Sequence, residues 1–560
     1  MKSTQVLHHV GANIIDHVPP RDVANRLLAA YLCTFESIFR IVHVPTFQRE
    51  YNSYWTNPAV ASRNFVVQML LVLAIGATFI PDEYECITLR HQATSWISNA
   101  QVYLNVLPEK ARLNVSGLQT QCLLLLARVV NGTGGDTVSS VAASLLRTAM
   151  NLGLHIDPSH FQHVSVLEGE ISRRLWYTVL ELDVQSSMDA GCIPMLSSRD
   201  YDTQLPSNID DEQLDGNCFV LPEQRSTDHY TRSLPQIMLA RSLALRSDIA
   251  RRVNDFREGP TFDETLTLAT QLIPHCLYNS RSFASHRETS SSSTHFQEMV
   301  INLLTQRFLL TLHHPFAVQA RSYPQFYYSR KEALEVAVSL VAPMATSSDS
   351  QCIESNDYTR LVIRGAGMFR HIPMQAISTI CGESISQVEE ARSSFKRLSS
   401  PIPVAEMHKA IKKYIEVASA RIKYGETNVK GYVLFSCILA QIDALQSGLP
   451  VEPAIAAVLW QSMEHCYRLL EKSAKEHPRY SLQDSATTTL PAATTALVPA
   501  ASSRALLAAT NASTSFIDFA AFADPVTTFG PTLTPNLSDE WLMEPDTADM
   551  GIFYSFMDDM

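Results

Sequence analysis

Paired cysteines are missing from this 560-residue chain: its ten, at 33, 86, 122, 192, 218, 276, 352, 381, 437 and 466, come no closer than 26 residues, and there is no CxxC. That spacing excludes zinc fingers and thioredoxin-like redox pairs. It is how a reduced, intracellular chain uses cysteine, as a small buried hydrophobe. Basic clusters are equally scarce. No Lys/Arg run exceeds two residues, and 44 Lys and Arg face 56 Asp and Glu for a net charge of −12. A nucleic-acid reader normally clusters its cations, so DNA contact by this chain is expected to be weak or indirect. Long apolar runs are absent too. The best, Phe65 to Ile80, is 16 residues, carries Gln68 and stops at Pro81-Asp82, whereas a spanning helix needs about 20; it reads as a buried helix, with no membrane partner. The first 20 residues hold one lysine and no continuous apolar core, neither a secretory signal nor a transit peptide. The sequons at Asn114, Asn131, Asn511 and Asn536 are then expected to be chance matches.

What is present is helical periodicity. Hydrophobic residues make up 46% of the chain and mean hydropathy is −0.02, ample for a globular core, and the length exceeds the roughly 250 to 300 residues at which single cores stop growing. The stretch 139–206 organises the rest. Val141, Leu145, Leu146, Met150 and Leu152 form one helical face that Gly153 and Pro158 end; Leu175, Trp176, Val179, Leu180, Leu182 and Met188 form a second, and irregular chain follows to Leu205-Pro206. Residues 19–40 predict an amphipathic helix and Ile41 to Phe47 a non-helical turn around Pro45, with a further helix through Tyr51, Tyr54 and Trp55. The segments 60–80, 116–130, 236–256, 296–316, 331–344, 360–381, 405–420, 430–447 and 453–472 continue the pattern, with linkers at 221–234 and 284–295. No strand-period segment competes, so the class is all-α.

The segment AAYLCTFESIFRIVHVPTFQREYNSYW, followed by LLRTAMNLGLHIDPSHF, RRLWYTVLELDVQSSMDAGCIPMLSSRDYDTQLP and LLTLHHPF at 309–316, resembles the middle homology region of fungal zinc-cluster transcription factors. Individually these motifs are degenerate; their combination and order are specific. The resemblance covers about 20–330 and fades into a helical remainder. It implies a helical regulatory domain of a nuclear transcriptional regulator, often encoded beside the biosynthetic (secondary metabolite) genes it controls. The family's binuclear zinc cluster needs six cysteines in a short N-terminal segment, and here no 40-residue window holds more than two. The DNA-reading module is therefore expected outside this chain, on an upstream exon or a zinc-cluster partner. A homodimer is the other partner the architecture suggests. The expected organisation is an N-terminal tail at 1–19, the regulatory domain at 20–330, a helical lobe at 331–475 and a tail at 476–560.

Asn131 to Asp136 is Gly-rich but lacks the GxxxxGK[ST] lysine and follows a helix, so it reads as a helix–helix turn capped by Asp136. His155, Asp157, His160 and His163 straddle a proline-containing loop with no helical face to fix a metal; surface and capping roles are expected, and no metal or cofactor is assigned. Arg173 and Arg174 are expected on the polar side of their helix, paired with Glu168, Glu170 or Asp183, Glu170 and Arg174 having i, i+4 spacing. His313-His314-Pro315 resembles the family's helix-ending turn. An all-α enzyme such as a terpene cyclase would need DDxxD and NDxxSxxxE-type motifs to hold three magnesium ions. Asp210 to Leu214 lacks the last carboxylate, and Asn254-Asp255 and Asn356-Asp357 lack the serine, so no catalytic residue is assigned.

Beyond 476 the composition turns to Ala, Thr, Ser and Pro, too poor in apolar bulk to offset ordering entropy, and disorder is expected. Residues 505–560 then hold nine acids and no Lys or Arg. Phe516, Phe519, Phe522, Trp541, Leu542, Phe553, Tyr554 and Phe556 are interspersed with these acids. Acidic-hydrophobic alternation marks disordered activation segments whose aromatics a coactivator groove takes up, so transcription machinery is the expected partner.

Overall fold

A computed structural model describes residues 17–133, 138–214, 220–286, 292–345, 356–393 and 402–476. All regular structure among them is helical. Chain order begins with α1 (Arg21–Cys33), α2 (Glu36–Phe39), α3 (Val44–Thr56), α4 (Arg63–Gly76), α5 (Glu83–Val106), α6 (Glu109–Arg112), α7 (Val115–Asn131), α8 (Val138–Asn151) and α9 (Val166–Ala190). It continues through α10 (Leu234–Ala240), α11 (Leu243–Val253), α12 (Phe262–His286), α13 (Ser292–Gln319), α14 (Tyr327–Ala345), α15 (Asp357–Arg364), α16 (Met368–Ser393), α17 (Val404–Lys423), α18 (Lys430–Ser447) and α19 (Val451–Glu476).

Local chemistry sets the boundaries. Ser62, Asp82, Asn114 and Asn356 each accept a backbone N–H at a helix start, relieving the orphan donors of a first turn. Apolar all round, α4 is buried from Phe65 to Gly76, as such a helix must be; no helix among the described residues is long and apolar enough to cross a membrane. It packs on α1, α5 and α7. Gly76 permits the closest of these approaches, since a Cβ there would lie 2.1 Å from the Leu27 carbonyl oxygen.

Several expected boundaries move. The helix over 19–40 breaks at Thr34-Phe35, where the Thr34 hydroxyl turns back to the Ala30 carbonyl at 2.6 Å. Pro45 opens α3 rather than lying in a turn, because a first-turn proline has no N–H that the helix would use. The 236–256 helix is two, split at Arg241-Ser242, and 360–381 is split by Gly365 to Gly367. His313-His314-Pro315 does not end a helix: α13 runs through it to Gln319, and both histidines are anchored by neighbours, His313 Nδ1 to Ser329 Oγ at 2.9 Å and His314 Nδ1 to Thr379 Oγ1 at 3.5 Å. Both ends of the second expected linker are helical, α12 running to His286 and α13 starting at Ser292, and 287–291 lie outside the described residues.

One apolar core extends from Ala24 to Ile442, so it crosses residue 330 without a seam. Arginines tie its halves by collecting carbonyls at helix ends: Arg364 donates to Thr78 and Ile80, and Arg90 to Arg364 and Tyr424. A smaller cluster of Ile422, Val433, Cys437, Leu459 and Cys466 seats α19 on α17 and α18.

Candidate regulatory centre: the ion network along α9

A capping box starts α9. The Ser165 hydroxyl accepts the Glu168 N–H while the Glu168 carboxylate accepts the Ser165 N–H. Gly191 ends the helix in the left-handed region at φ 63°, where a Cβ is costly. Between these ends the helix buries Glu170, Arg174, Thr178, Glu181 and Gln185, which recur at helical spacing and form one polar seam inside the core.

The upper part of the seam is a four-charge cluster. Arg174 donates to Glu170 Oε1 at 3.3 Å and to Asp211 Oδ1 at 2.6 Å, and Arg40 donates to the same Asp211 oxygen. Asp211 Oδ2 accepts the Val44 N–H at 3.0 Å, and Glu170 Oε1 accepts the Ser207 N–H at 2.9 Å. Burial alone would raise the Asp211 carboxyl, but the two guanidiniums hold it well below the usual range. Arg40 sits at φ 52°, a conformation costing an L-residue about 1 to 2 kcal/mol, and its ion pair with Asp211 holds it there. Beside it the buried Glu36 carboxyl accepts the Tyr31 O–H at 2.7 Å and the Val42 N–H at 3.1 Å. Burial pushes it up to about 7, against the pull of Arg40 and of these donors.

Lower down, Gln236 Nε2 donates to Phe39 O, Arg174 O and Thr178 Oγ1 at 3.1, 2.9 and 2.9 Å. Glu181 takes both nitrogens of Arg246 at 2.7 Å, and Gln185 bridges Glu181 to Leu304 O. Arg307 donates to Gln185 Oε1 at 2.9 Å and to Asp189 at 2.8 Å. The seam thus joins 36–44, α9, 207–213, α10, α11 and α13. A recess of about 10 Å³ among Phe39, Thr178, Glu181 and Gln236 has room for one water, not for an effector.

Arg173 and Arg174 part company. Arg173 clasps Asp157 with two bonds of 2.9 and 2.8 Å, and Arg174, far from lying on a polar surface, is 1% exposed. The Glu170 pairing expected from spacing is present; Glu168 instead caps the helix and Asp183 accepts the Met195 N–H. Burial pushes the Asp183 carboxyl up to about 6. In the histidine loop Asp157 caps Pro158–His160 and accepts the Gln204 N–H, His160 pairs with Asp202 at 2.8 Å, and His155 lies against Trp176. These are anchoring roles, and they pin the irregular 197–214 segment to α9. Asp211 of the Asp210-Asp211 pair is spent on two arginines, leaving it unable to hold magnesium. Arg40, Glu36, Arg246 and Arg307 were not singled out by the sequence reading; only the Glu170–Arg174 spacing hinted at the network. Asp136 and all eight tail residues, Phe516, Phe519, Phe522, Trp541, Leu542, Phe553, Tyr554 and Phe556, lie outside the described residues.

Comparison with known proteins places this architecture. Residues 28–326 match the family described as "Fungal specific transcription factor domain". Transcription factor opdR of Penicillium oxalicum is 36% identical over 498 residues, covering 85% of this chain and 62% of that protein. Transcription factor lepE of Aspergillus flavus is 34% identical over 469 residues, 81% of this chain and 55% of that protein. The aspyridones cluster regulator apdR of Emericella nidulans is 31% identical over 438 residues, 76% and 58%. The chain therefore spans between 55% and 62% of the length of these relatives. No solved structure matches. The matched region contains α2 to α13 whole and with them every charged residue of the α9 network, and the chain belongs to the fungal specific transcription factor domain family.

Proposed function

We propose that the chain is a nuclear transcriptional regulator, not an enzyme, that controls a biosynthetic gene set. The helical body from 20 to 475 acts as the regulatory unit and the acidic tail recruits a coactivator. The observation that carries this reading is the family match over 28–326 together with relatives named as transcription factors and, in one case, as a metabolite-cluster regulator. The α9 network supplies the scaffold: a body stitched internally by buried ion pairs keeps one shape while the tail engages its partner. Deleting the gene and sequencing RNA tests it. A contiguous set of biosynthetic transcripts should fall sharply; an unchanged transcript profile under producing conditions contradicts it.

A second reading, a co-regulator that reaches DNA through a zinc-cluster partner, draws on the cysteines. Cys86, Cys122, Cys276, Cys381, Cys437 and Cys466 are buried free thiols of the helical body, and in the small cluster that holds Cys437 and Cys466 burial pushes both thiols up to about 11, away from the thiolate that a zinc ligand must be. Sequencing the transcript's 5′ end separates the two: an upstream exon with six closely spaced cysteines supports direct DNA binding, and a transcript starting at this methionine supports the co-regulator.

A further inference from the structure

The polar seam along α9 has one break. Its upper part reaches down to Thr178 and Gln236, its lower part starts at Glu181, and no side-chain hydrogen bond runs from either of the first two to the third. Thr178 and Glu181 are three residues apart and share a face of α9, and Gln236 reaches that face from α10 through its bond to Thr178. The recess of about 10 Å³ lies among these three side chains, closed elsewhere by apolar groups that include Phe39, Leu239 and Ala240.

Two oxygens at this recess have acceptor capacity to spare. Gln236 is 3% exposed, and its Oε1 has no hydrogen-bond partner. Turning the amide over does not cure this. Its Nε2 faces the carbonyl oxygens of Phe39 and Arg174, and the turned amide would set oxygen against oxygen at both. Glu181, buried as deeply, gives Oε1 to Arg246 and Gln185 but Oε2 to Arg246 alone, which leaves Oε2 a lone pair. A buried acceptor without a donor is costly, and folded proteins keep few of them.

We propose that the recess is a binding site for a single water molecule, which donates one hydrogen to Gln236 Oε1 and the other to Glu181 Oε2. Size excludes an organic ligand, since the volume is that of about one water-sized sphere. The sense of the hydrogen bonds fits as well: both protein atoms accept, and a water has two hydrogens to give. Charge excludes a metal cation. Arg246 already meets the Glu181 carboxylate through two bonds of 2.7 Å, so a cation would add uncompensated charge to the core. With the water in place the seam is continuous, from the Arg40–Asp211 pair at one end of α9 to the Arg307–Asp189 pair at the other, and α10 is tied through Gln236 to the helices that Glu181 holds.

A crystal structure of the full chain at about 2 Å tests the site directly. An isolated density peak should lie within about 3.2 Å of both Gln236 Oε1 and Glu181 Oε2. A recess without density, in a map that shows buried waters elsewhere in the body, overturns the proposal, and so does a peak that reaches only one of the two oxygens. Urea melts give a second test in solution. Ala240→Ser and Ala240→Cys set a hydroxyl or a thiol of nearly the same shape at the recess wall. The hydroxyl can take over the bond to Gln236 Oε1, whereas a thiol is a weak donor. The midpoint of Ala240→Ser should therefore lie about 0.3 M or more above that of Ala240→Cys. Equal midpoints, or the reverse order that a dry recess would favour by taking the more apolar group, overturn the proposal.

Discussion

Replacing Asp211 by alanine should be among the most damaging single changes in the body. The side chain is fully buried and serves Arg40, Arg174 and the Val44 N–H together. Its loss strands two guanidiniums that are themselves buried. Breaking a buried ion pair from one side costs about 3 to 5 kcal/mol, because the remaining charge stays out of water without compensation. At a urea slope of ~3 kcal/mol/M this is a drop in midpoint of about 1 to 1.7 M. Asp211→Asn should not rescue it: the amide nitrogen would point a donor at donors. A variant carrying Arg40→Met, Arg174→Met, Asp211→Leu and Glu170→Gln should recover most of the loss, since an uncharged set of similar volume removes the stranded charge. Acid sharpens the test. A carboxyl held low in the folded state stabilises above its unfolded pKa of about 3.9 and ceases to do so as the pH falls through the folded value. Wild type should therefore lose stability below about pH 4 through this residue, and the alanine variant should lack that component. A midpoint shift under about 0.3 M, equivalent to ~1 kcal/mol, would refute the reasoning and make the cluster incidental to the fold.

Other outcomes follow from the same structure. Gly76→Ala forces a Cβ to within 2.1 Å of the Leu27 carbonyl oxygen, and overpacking at this helix crossing should cost about 1 to 3 kcal/mol or more in urea melts. For Glu36 the sign is opposite to that of Asp211: raised in the fold to about 7 from an ordinary 4.5, it should make wild type lose stability as the pH climbs between those values, because the unfolded chain releases the proton first. Glu36→Gln should flatten that window, which a urea midpoint series from pH 4 to 8 would reveal. Trp176→Ala, at a fully buried ring packed on Tyr201, should cost about 3 to 5 kcal/mol by thermal or urea melt.

The helical class, the burial of Phe65 to Gly76 and the core role of Leu175 and Trp176 were legible in the sequence, because apolar period and capping residues are local signals. The breaks at Thr34 and Arg241 were not: both lie inside uninterrupted amphipathic patterns, the first marked by the return of the Thr34 hydroxyl to the Ala30 carbonyl and the second by the seating of α10 under Phe39 and Arg174. Proline misled twice in opposite senses, opening α3 at Pro45 where a turn was expected and riding inside α13 at Pro315 where an end was expected. For the α9 network, Glu170 and Arg174 could be paired from i, i+4 spacing, but their burial could not be read. Asp211 and Arg40 meet across 171 residues, and no local pattern announces such a partner. Arg173 and Arg174 read as the polar side of their helix because composition alone cannot tell a satisfied internal seam from a surface.

The central claim, that this chain regulates transcription through its acidic tail, is tested most directly by joining the whole chain to an unrelated DNA-binding domain and measuring reporter output. The account predicts activation of at least about tenfold over the DNA-binding domain alone. That output should fall when Trp541, Leu542, Phe553, Tyr554 and Phe556 are changed to alanine together with Phe516, Phe519 and Phe522. Output equal to that of the DNA-binding domain alone, from a fusion shown to be folded and nuclear, would contradict it.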